Sequence, residues 1–414
     1  MKWLHMQEYL GIVSFPALLF TAPKHMPFAF FLIFMLFLQE SKKHFSYIAL
    51  RWHCNSIHCY GGMKMGVVVI NNSSPFLFGY DSPAPRGTGT TSLSGGFFFY
   101  SNNPESVLNT ATADSGYYLN RAPVKGTGQI YTWHSNKTGS ALTNCILIHN
   151  PNAFPVRITS SNYGTTKYAG VQPDSNAWLS FWNTSMNSPL SVTVQPGGYG
   201  NIFLQGQIPH GGVFGIIARV SVKNANDNSD ASVTLWDLAY ISNSGNGNAA
   251  AAVDGTNRVR GIGQGGYWNT TVFNALSPTD SKGRYYTLAA AGDTFNGTDV
   301  PWVADYSGLA SGGVLGNYGQ QINVTLPIYN NSNSYRKYRI FIGSTGGSLF
   351  PCLYYNGIGY RYSPTNEWGN ISGWYGLDIL KVGVNGNSTV SESFQVVVPA
   401  VSSAPLAIGA RIIS

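Results

Sequence analysis

From Met65 onward the chain is cut into short apolar or alternating runs, each of strand length, by clusters of Gly, Asn, Pro and Ser. Cys145-Ile146-Leu147-Ile148, Val156-Arg157-Ile158-Thr159, the run from Phe214 to Val222, the run from Ile322 to Ile328, Tyr338-Arg339-Ile340-Phe341-Ile342 and Phe394-Gln395-Val396-Val397-Val398 are examples. The run Leu190 to Val194 alternates, which buries one face of a strand and wets the other, and Gln195-Pro196-Gly197-Gly198 then reads as a turn. Asn385-Gly386 reads as a hairpin turn. This punctuation predicts an all-β chain of two β-sandwich domains, Ig-like or jelly-roll-like, over residues 66–245 and 321–414. Residues 246–320 are predicted to connect them as a Gly/Ala/Asn-rich region with some strands, and residues 1–65 form a separate apolar segment.

A loose internal echo supports two sandwiches of similar plan. Ile146-Leu147-Ile148-His149-Asn150 is followed by Val156-Arg157-Ile158, and Leu326-Pro327-Ile328-Tyr329-Asn330 by Tyr338-Arg339-Ile340. In both, an apolar strand ends in Asn, turns, and a strand containing Arg comes next.

Composition agrees with sheets. Charged residues make up 10% of the chain, well below the usual quarter, and Glu is confined to Glu8, Glu40, Glu105, Glu367 and Glu392. Helices keep their outer faces wet with Glu, Lys, Arg and Gln, so this balance favours polar β-faces of Thr, Asn, Ser and Tyr. The formal charge of +7 does not imply nucleic acid, because Lys2, Lys24, Lys42, Lys43, Arg51 and Lys64 supply more than half of the excess. The densest later cluster, Tyr335-Arg336-Lys337-Tyr338-Arg339, is expected to be a solvated strand edge protected by charge. Cys145 and Cys352 are expected to be buried free thiols, although a bridge between them is open.

Residues 1–65 differ in composition from the rest of the chain. The apolar stretch from Met26 to Leu38 has signal-peptide length, so residues 26–38 would touch a membrane only as signal or anchor. Five of the eight histidines fall before Met63, and a misassigned start with translation from Met63 or Met65 is the competing explanation. His53-Cys54 and His58-Cys59 do not match zinc spacings.

Gly126 to Gly139, reading Gly-Thr-Gly-Gln-Ile-Tyr-Thr-Trp-His-Ser-Asn-Lys-Thr-Gly, is followed by Ile146 to Asn152 and Pro155 to Ile158. Across residues 97–240 this resembles a β-sandwich region of secreted surface proteins of Gram-positive-type bacteria. Those proteins often carry a stalk domain named for similarity to the N-terminal domain of copper amine oxidases. The resemblance implies an extracellular, wall-associated β-protein. It implies no oxidase, because Asn162-Tyr163 and Asn317-Tyr318 are each followed by Gly where that chemistry needs an acid, and a His-x-His copper pair is missing.

Chemistry is sparse. Gly261-Ile262-Gly263-Gln264-Gly265-Gly266 has neither the preceding strand nor the spacing of a dinucleotide loop and reads as a Gly-rich loop or linker. There is no Gly-x-Ser-x-Gly elbow, and no catalytic residue or cofactor is assigned. Glu367 beside Trp368 is the most site-like carboxylate, but a glycoside hydrolase needs a pair. Aromatics, at 14%, are the enriched group. Most tryptophans are expected in the core, while Trp268, Trp368 and Trp374, in Gly/Asn-rich stretches, are expected to be exposed and to bind carbohydrate or a partner with Glu367. The sequence therefore suggests an extracellular structural or adhesive protein without catalysis, held to cell-wall or other polysaccharide or to itself through sheet edges. A lectin-like protein and, behind it, a glycoside hydrolase are the alternatives.

Overall fold

The computed structural model describes residues 67–79, 91–170, 173–183, 188–242, 251–252, 260–270, 274–289, 300–303, 313–314, 317–344, 347–365, 373–402 and 406–413. The N-terminal segment with its His-Cys pairs lies outside them, as do Glu367 and Trp368. The chain is all-β with one short helix among the described residues.

The described chain opens with β1 (Val68–Val69), β2 (Phe76–Gly79), β3 (Thr91–Ser94) and β4 (Phe97–Ser101). The first sandwich comprises β5 (Asn120–Lys125), β6 (Thr127–Asn136), β7 (Leu142–His149), β8 (Val156–Tyr168), α1 (Ser175–Trp182), β9 (Leu190–Val194), β10 (Tyr199–Ile208), β11 (Val213–Asn224) and β12 (Ser232–Tyr240). One sheet runs β5-β12-β7-β10 and the facing sheet β6-β11-β8-β9, the eight-strand order of a jelly roll. Ile146, Ile148, Ile158, Ile216, Val220 and Leu235 meet between the sheets.

Next come β13 (Arg260–Gln264), β14 (Tyr267–Thr270) and β15 (Arg284–Ala289). The second sandwich continues as β16 (Gln321–Asn330), β17 (Arg336–Ser344), β18 (Cys352–Tyr355), β19 (Ile358–Arg361), β20 (Trp374–Val384), β21 (Ser388–Val397) and β22 (Leu406–Ile412). One sheet runs β20-β17-β22-β15 and the other β19-β18-β21-β16-β14-β3. The plan repeats the first, since β16-β21 matches β7-β10 and β20-β17-β22 matches β9-β8-β11. One position differs: β12 lies antiparallel to β7, whereas β14 lies parallel to β16.

Strands from the 66–245 stretch contribute to both sandwiches, because β1 and β2 pair with β20 and β3 pairs with β14. The ribbon of β3-β4 against β13-β14 passes from one sandwich into the other. Phe97 pairs with Gln264 on one side, and Ser94 with Tyr267 on the other. Both strands turn this corner on paired glycines, Gly95-Gly96 and Gly265-Gly266, and the Gly265 N–H donates to the Gly96 carbonyl at 2.7 Å. Gly96 has φ +82°, and a Cβ there would sit 1.7 Å from the Thr127 carbonyl oxygen. The expected Gly-rich loop at 261–266 is therefore a strand and a corner.

Two further expectations change. Asn385-Gly386 does not close a hairpin, because β20 and β21 belong to different sheets. The 336–339 cations lie on β17, an interior strand flanked by β20 and β22, rather than on an edge. Tyr338, Ile340 and Ile342 enter the core, which sends Lys337 and Arg339 to the opposite face.

Candidate functional site

The seam between the sandwiches buries β6 on both faces. Ile130 points into the first core, while Tyr131 and Trp133 meet Trp178, Phe181 and Trp182 of α1 and Cys352, Val397 and Ala400 of the second sandwich. Gly164 on β8 lets α1 approach, since a Cβ there would fall 1.9 Å from the Ala177 carbonyl oxygen. Asp174, preceding α1, is 1% exposed. Its carboxylate accepts the Tyr131 hydroxyl at 2.9 Å and the Ala400 N–H at 2.9 Å, so one side chain ties the helix to both sandwiches. Burial pushes its pKa up to about 7 against those two hydrogen bonds, and burial with the Asp174 charge pushes the Tyr131 phenol well up.

Ser101, His134 and Asp237 form the trio that most resembles a nucleophilic site. His134 Nδ1 lies 2.7 Å from the Pro104 carbonyl oxygen, which can only accept, so Nδ1 carries a proton. Nε2 then faces both Asp237 Oδ2 at 2.9 Å and Ser101 Oγ at 3.2 Å. A catalytic triad needs serine and carboxylate on opposite ring nitrogens. Here they share one, all three residues are 0% exposed, and Asn144 Nδ2 donates to the other Asp237 oxygen at 2.8 Å. The trio is a buried polar lock.

Asp378, 1% exposed, accepts Arg339 at 2.7 Å and the Arg411 Nε at 2.9 Å, and the Arg411 guanidinium lies 3.8 Å over the Phe76 ring. Cys145 and Cys352 are free and buried. Burial pushes the Cys145 thiol up to about 12 and the Cys352 thiol higher still. Among the described residues no three His, Cys, Asp or Glu side chains converge as metal ligands, and no helix is long and apolar enough to cross a membrane.

Of the sequence-derived binding residues, Trp374 lies elsewhere than expected. Trp374 is 1% exposed rather than open, because its ring packs against Phe78 and Tyr285 at centroid distances of 5.9 and 5.6 Å. Phe78 and Tyr285 come from remote strands that its Gly-rich flanks do not announce. Trp268 lies on β14 in register with Leu93 and Ile322. Glu367 and Trp368 fall outside the described residues.

Sequence reasoning missed a polar row on the second sandwich. Tyr354, Gln395, Asn323, Asn269 and Ser92 are successive register partners across β18, β21, β16, β14 and β3. Asn323 Nδ2 donates to Asn269 Oδ1 at 2.6 Å, and Asn269 Nδ2 to Ser94 Oγ at 3.0 Å. Beside the row, Thr325 and Ser393 hydroxyls lie 2.9 Å apart. Tyr354, Asn356 and Gln395 border a hollow of about 310 Å³ over this face. The signal was present: Gln321-Ile322-Asn323-Val324-Thr325-Leu326 alternates, putting Ile322, Val324 and Leu326 inside and Asn323 and Thr325 out.

No protein-family model matches the chain, and no curated protein matches it. Among solved structures, deformed wing virus carrying the GFP gene aligns over 93% of this chain and 100% of the matched chain, at 8% identity and a TM-score of 0.17. Fet3p, a multicopper oxidase that functions in iron import, aligns over 70% of this chain and 51% of its own, at 7% identity and a TM-score of 0.11. Oxalate decarboxylase of Bacillus subtilis aligns over 80% of this chain and 78% of its own, at 9% identity and a TM-score of 0.11. These superpositions are too loose to bear on function.

Proposed function

We propose that the protein is a structural or adhesive component of an extracellular surface, without catalytic activity, as its resemblance to secreted bacterial β-proteins suggests. One observation carries the reading: among the described residues, the buried groups that could do chemistry are engaged inside the molecule. Asp174, Asp237 and Asp378 each accept two or more internal hydrogen bonds, and His134 is enclosed with its partners. Two surface hollows among the described residues, of about 310 and 240 Å³, are lined by uncharged side chains. A general acid or base needs access to substrate, which these carboxylates lack.

Contact through faces is favoured over contact through edges. Edge strand β10 carries two register irregularities, with Phe203 at φ +57° and Gln207 at φ +58°, and edge strand β5 carries Pro123. Bulges and proline both spoil the flat row of N–H groups that strand addition requires.

The test is surface labelling of intact source cells, followed by fractionation and by incubation of purified protein with polysaccharides while new reducing ends are counted. Labelling without new ends is the expected result. Recovery in the cytosol, or steady release of ends, sinks the reading.

A further inference from the structure

We infer that the outer face of the β18-β21-β16-β14-β3 sheet is a binding platform for a neutral polysaccharide, laid along the row from Tyr354 to Ser92. The inference rests on the adhesive reading for its biological setting, but the site itself is argued from its own chemistry.

Five register partners on five neighbouring strands span four strand spacings of about 4.8 Å, or roughly 19 Å. All five are uncharged. Three of the chain's surface chemistries meet there: an aromatic ring, side-chain amides and hydroxyls. The Gln395 amide offers both donor and acceptor, which matches sugar hydroxyls that are themselves both, while Asn323 Nδ2 and Asn269 Oδ1 are already joined to each other. The ring offers a flat apolar surface with a polar tip, which suits the C–H face of a pyranose. An acidic polymer would find no cation in this row.

The platform is also held in place before any ligand arrives. Tyr354 stacks on Trp182 with centroids 5.7 Å apart and planes at 25°, and the Trp182 Nε1–H donates to Gln321 Oε1 at 3.2 Å. The Asn323-to-Asn269-to-Ser94 relay orients two amides in series. Side chains already fixed lose little entropy on binding, so weak individual contacts count for more. At the Tyr354 end the β18-β19 hairpin turns on Asn356-Gly357, with φ +50° and +82°, and Asn356 borders the 310 Å³ hollow as a wall. Glu392, the carboxylate on β21, accepts the Tyr355 hydroxyl at 3.1 Å.

The experiment passes the purified full chain over immobilised mannan, a β-glucan and xylan, with polygalacturonate as the acidic control. Retention on at least one neutral polymer is expected. Gln395→Ala should weaken it about five- to tenfold through loss of an amide contact, and Ser393→Lys, which places a charge beside the row, should abolish it. Both sites lie on the wet face, and unchanged melting temperatures establish that the variants fold. Retention on none of the neutral polymers, retention on polygalacturonate alone, or equal retention by both variants overturns the inference. So does sedimentation showing that Ser393→Lys breaks a self-associated species while no polysaccharide binds, since the face would then belong to a second copy. Failure here leaves the surface location untouched, which labelling of cells tests separately.

Discussion

The side-chain amides of Asn150 and Asn330 stand at the same place in the two sandwiches and make the same contacts. Asn150 Nδ2 donates to the Phe154 and Val194 carbonyls at 2.8 and 3.0 Å, and its Oδ1 accepts the Asn152 N–H at 3.0 Å. Asn330 Nδ2 donates to the Ser334 and Val384 carbonyls at 2.8 and 3.0 Å, and its Oδ1 accepts the Ser332 N–H at 3.1 Å. Asn136 repeats the pattern on Ser140, Ile208 and Thr138. In each case one buried amide closes a turn and fastens it to the end of another strand.

Replacing either Asn150 or Asn330 with Ala is expected to cost about 2–4 kcal/mol, since buried carbonyls and an N–H lose their partner together. Asn331→Ala, at an exposed neighbour, should cost almost nothing. Urea unfolding midpoints check both, and equal midpoints for all three variants would refute the role.

Much of this arrangement is legible in the sequence. The Ile-Leu-Ile-His-Asn and Leu-Pro-Ile-Tyr-Asn echo marks the strands that these asparagines end, and two-residue alternation in β16 separates core from wet face. The features hidden from sequence depend on distant partners. The short strands β13 and β14 are strands because β4 and β3 lie beside them, and Gly-rich text alone cannot say so. The octet of α1 is too short to display helical periodicity, and its tryptophans look like any other core residues. Likewise the row from Tyr354 to Ser92 exists only once five separate strands are in register.

Gly96→Ala should prevent stable assembly of the two sandwiches, because φ is positive and the new Cβ would collide with backbone at Thr127. Gly116→Ala is the control: φ is +86° there too, but nothing lies within 4 Å of the added carbon. That variant should lose only about 1 kcal/mol from backbone strain. Comparable losses in thermal unfolding would show that the corner is not the constraint.

Thiol chemistry should be silent in the folded protein. Cys145 and Cys352 are buried, apart, and held protonated by burial, whereas alkylation requires an accessible thiolate. Peptide mass spectrometry after native iodoacetamide treatment should find both unmodified, and after denaturation both alkylated. A disulfide between them, or fast native labelling, would contradict the packing.

The Ser101, His134 and Asp237 lock makes unequal predictions for its members. Ser101→Ala removes a hydroxyl from a nitrogen that keeps its carboxylate, for about 1 kcal/mol. His134→Leu leaves Asp237 buried without its ring partner, at a cost of about 3–5 kcal/mol. A serine-directed phosphonate probe should label neither the native protein nor Ser101→Ala, and labelling at Ser101 would reopen the question of a nucleophile.

The seam should respond to pH through Asp174. Its carboxyl titrates near the ordinary 3.8 when unfolded and at about 7 when buried between Tyr131, Ala400 and α1, so the native protein binds the proton more tightly. The stabilisation is therefore fully present below about pH 4 and is lost as pH rises through 7, by up to about 4 kcal/mol. Asp174→Asn mimics the protonated group, since its oxygen can still accept the Ala400 N–H while its amide donates to the Tyr131 oxygen. That variant should flatten the profile and exceed the parent in stability at pH 8, yet match it near pH 4. The seam also contains Tyr131 and Cys352, but both are pushed toward higher pH and stay protonated throughout this window. Urea unfolding at pH 4, 6 and 8 decides the matter, and an Asp174→Asn variant that keeps the parent's slope would place the titration elsewhere.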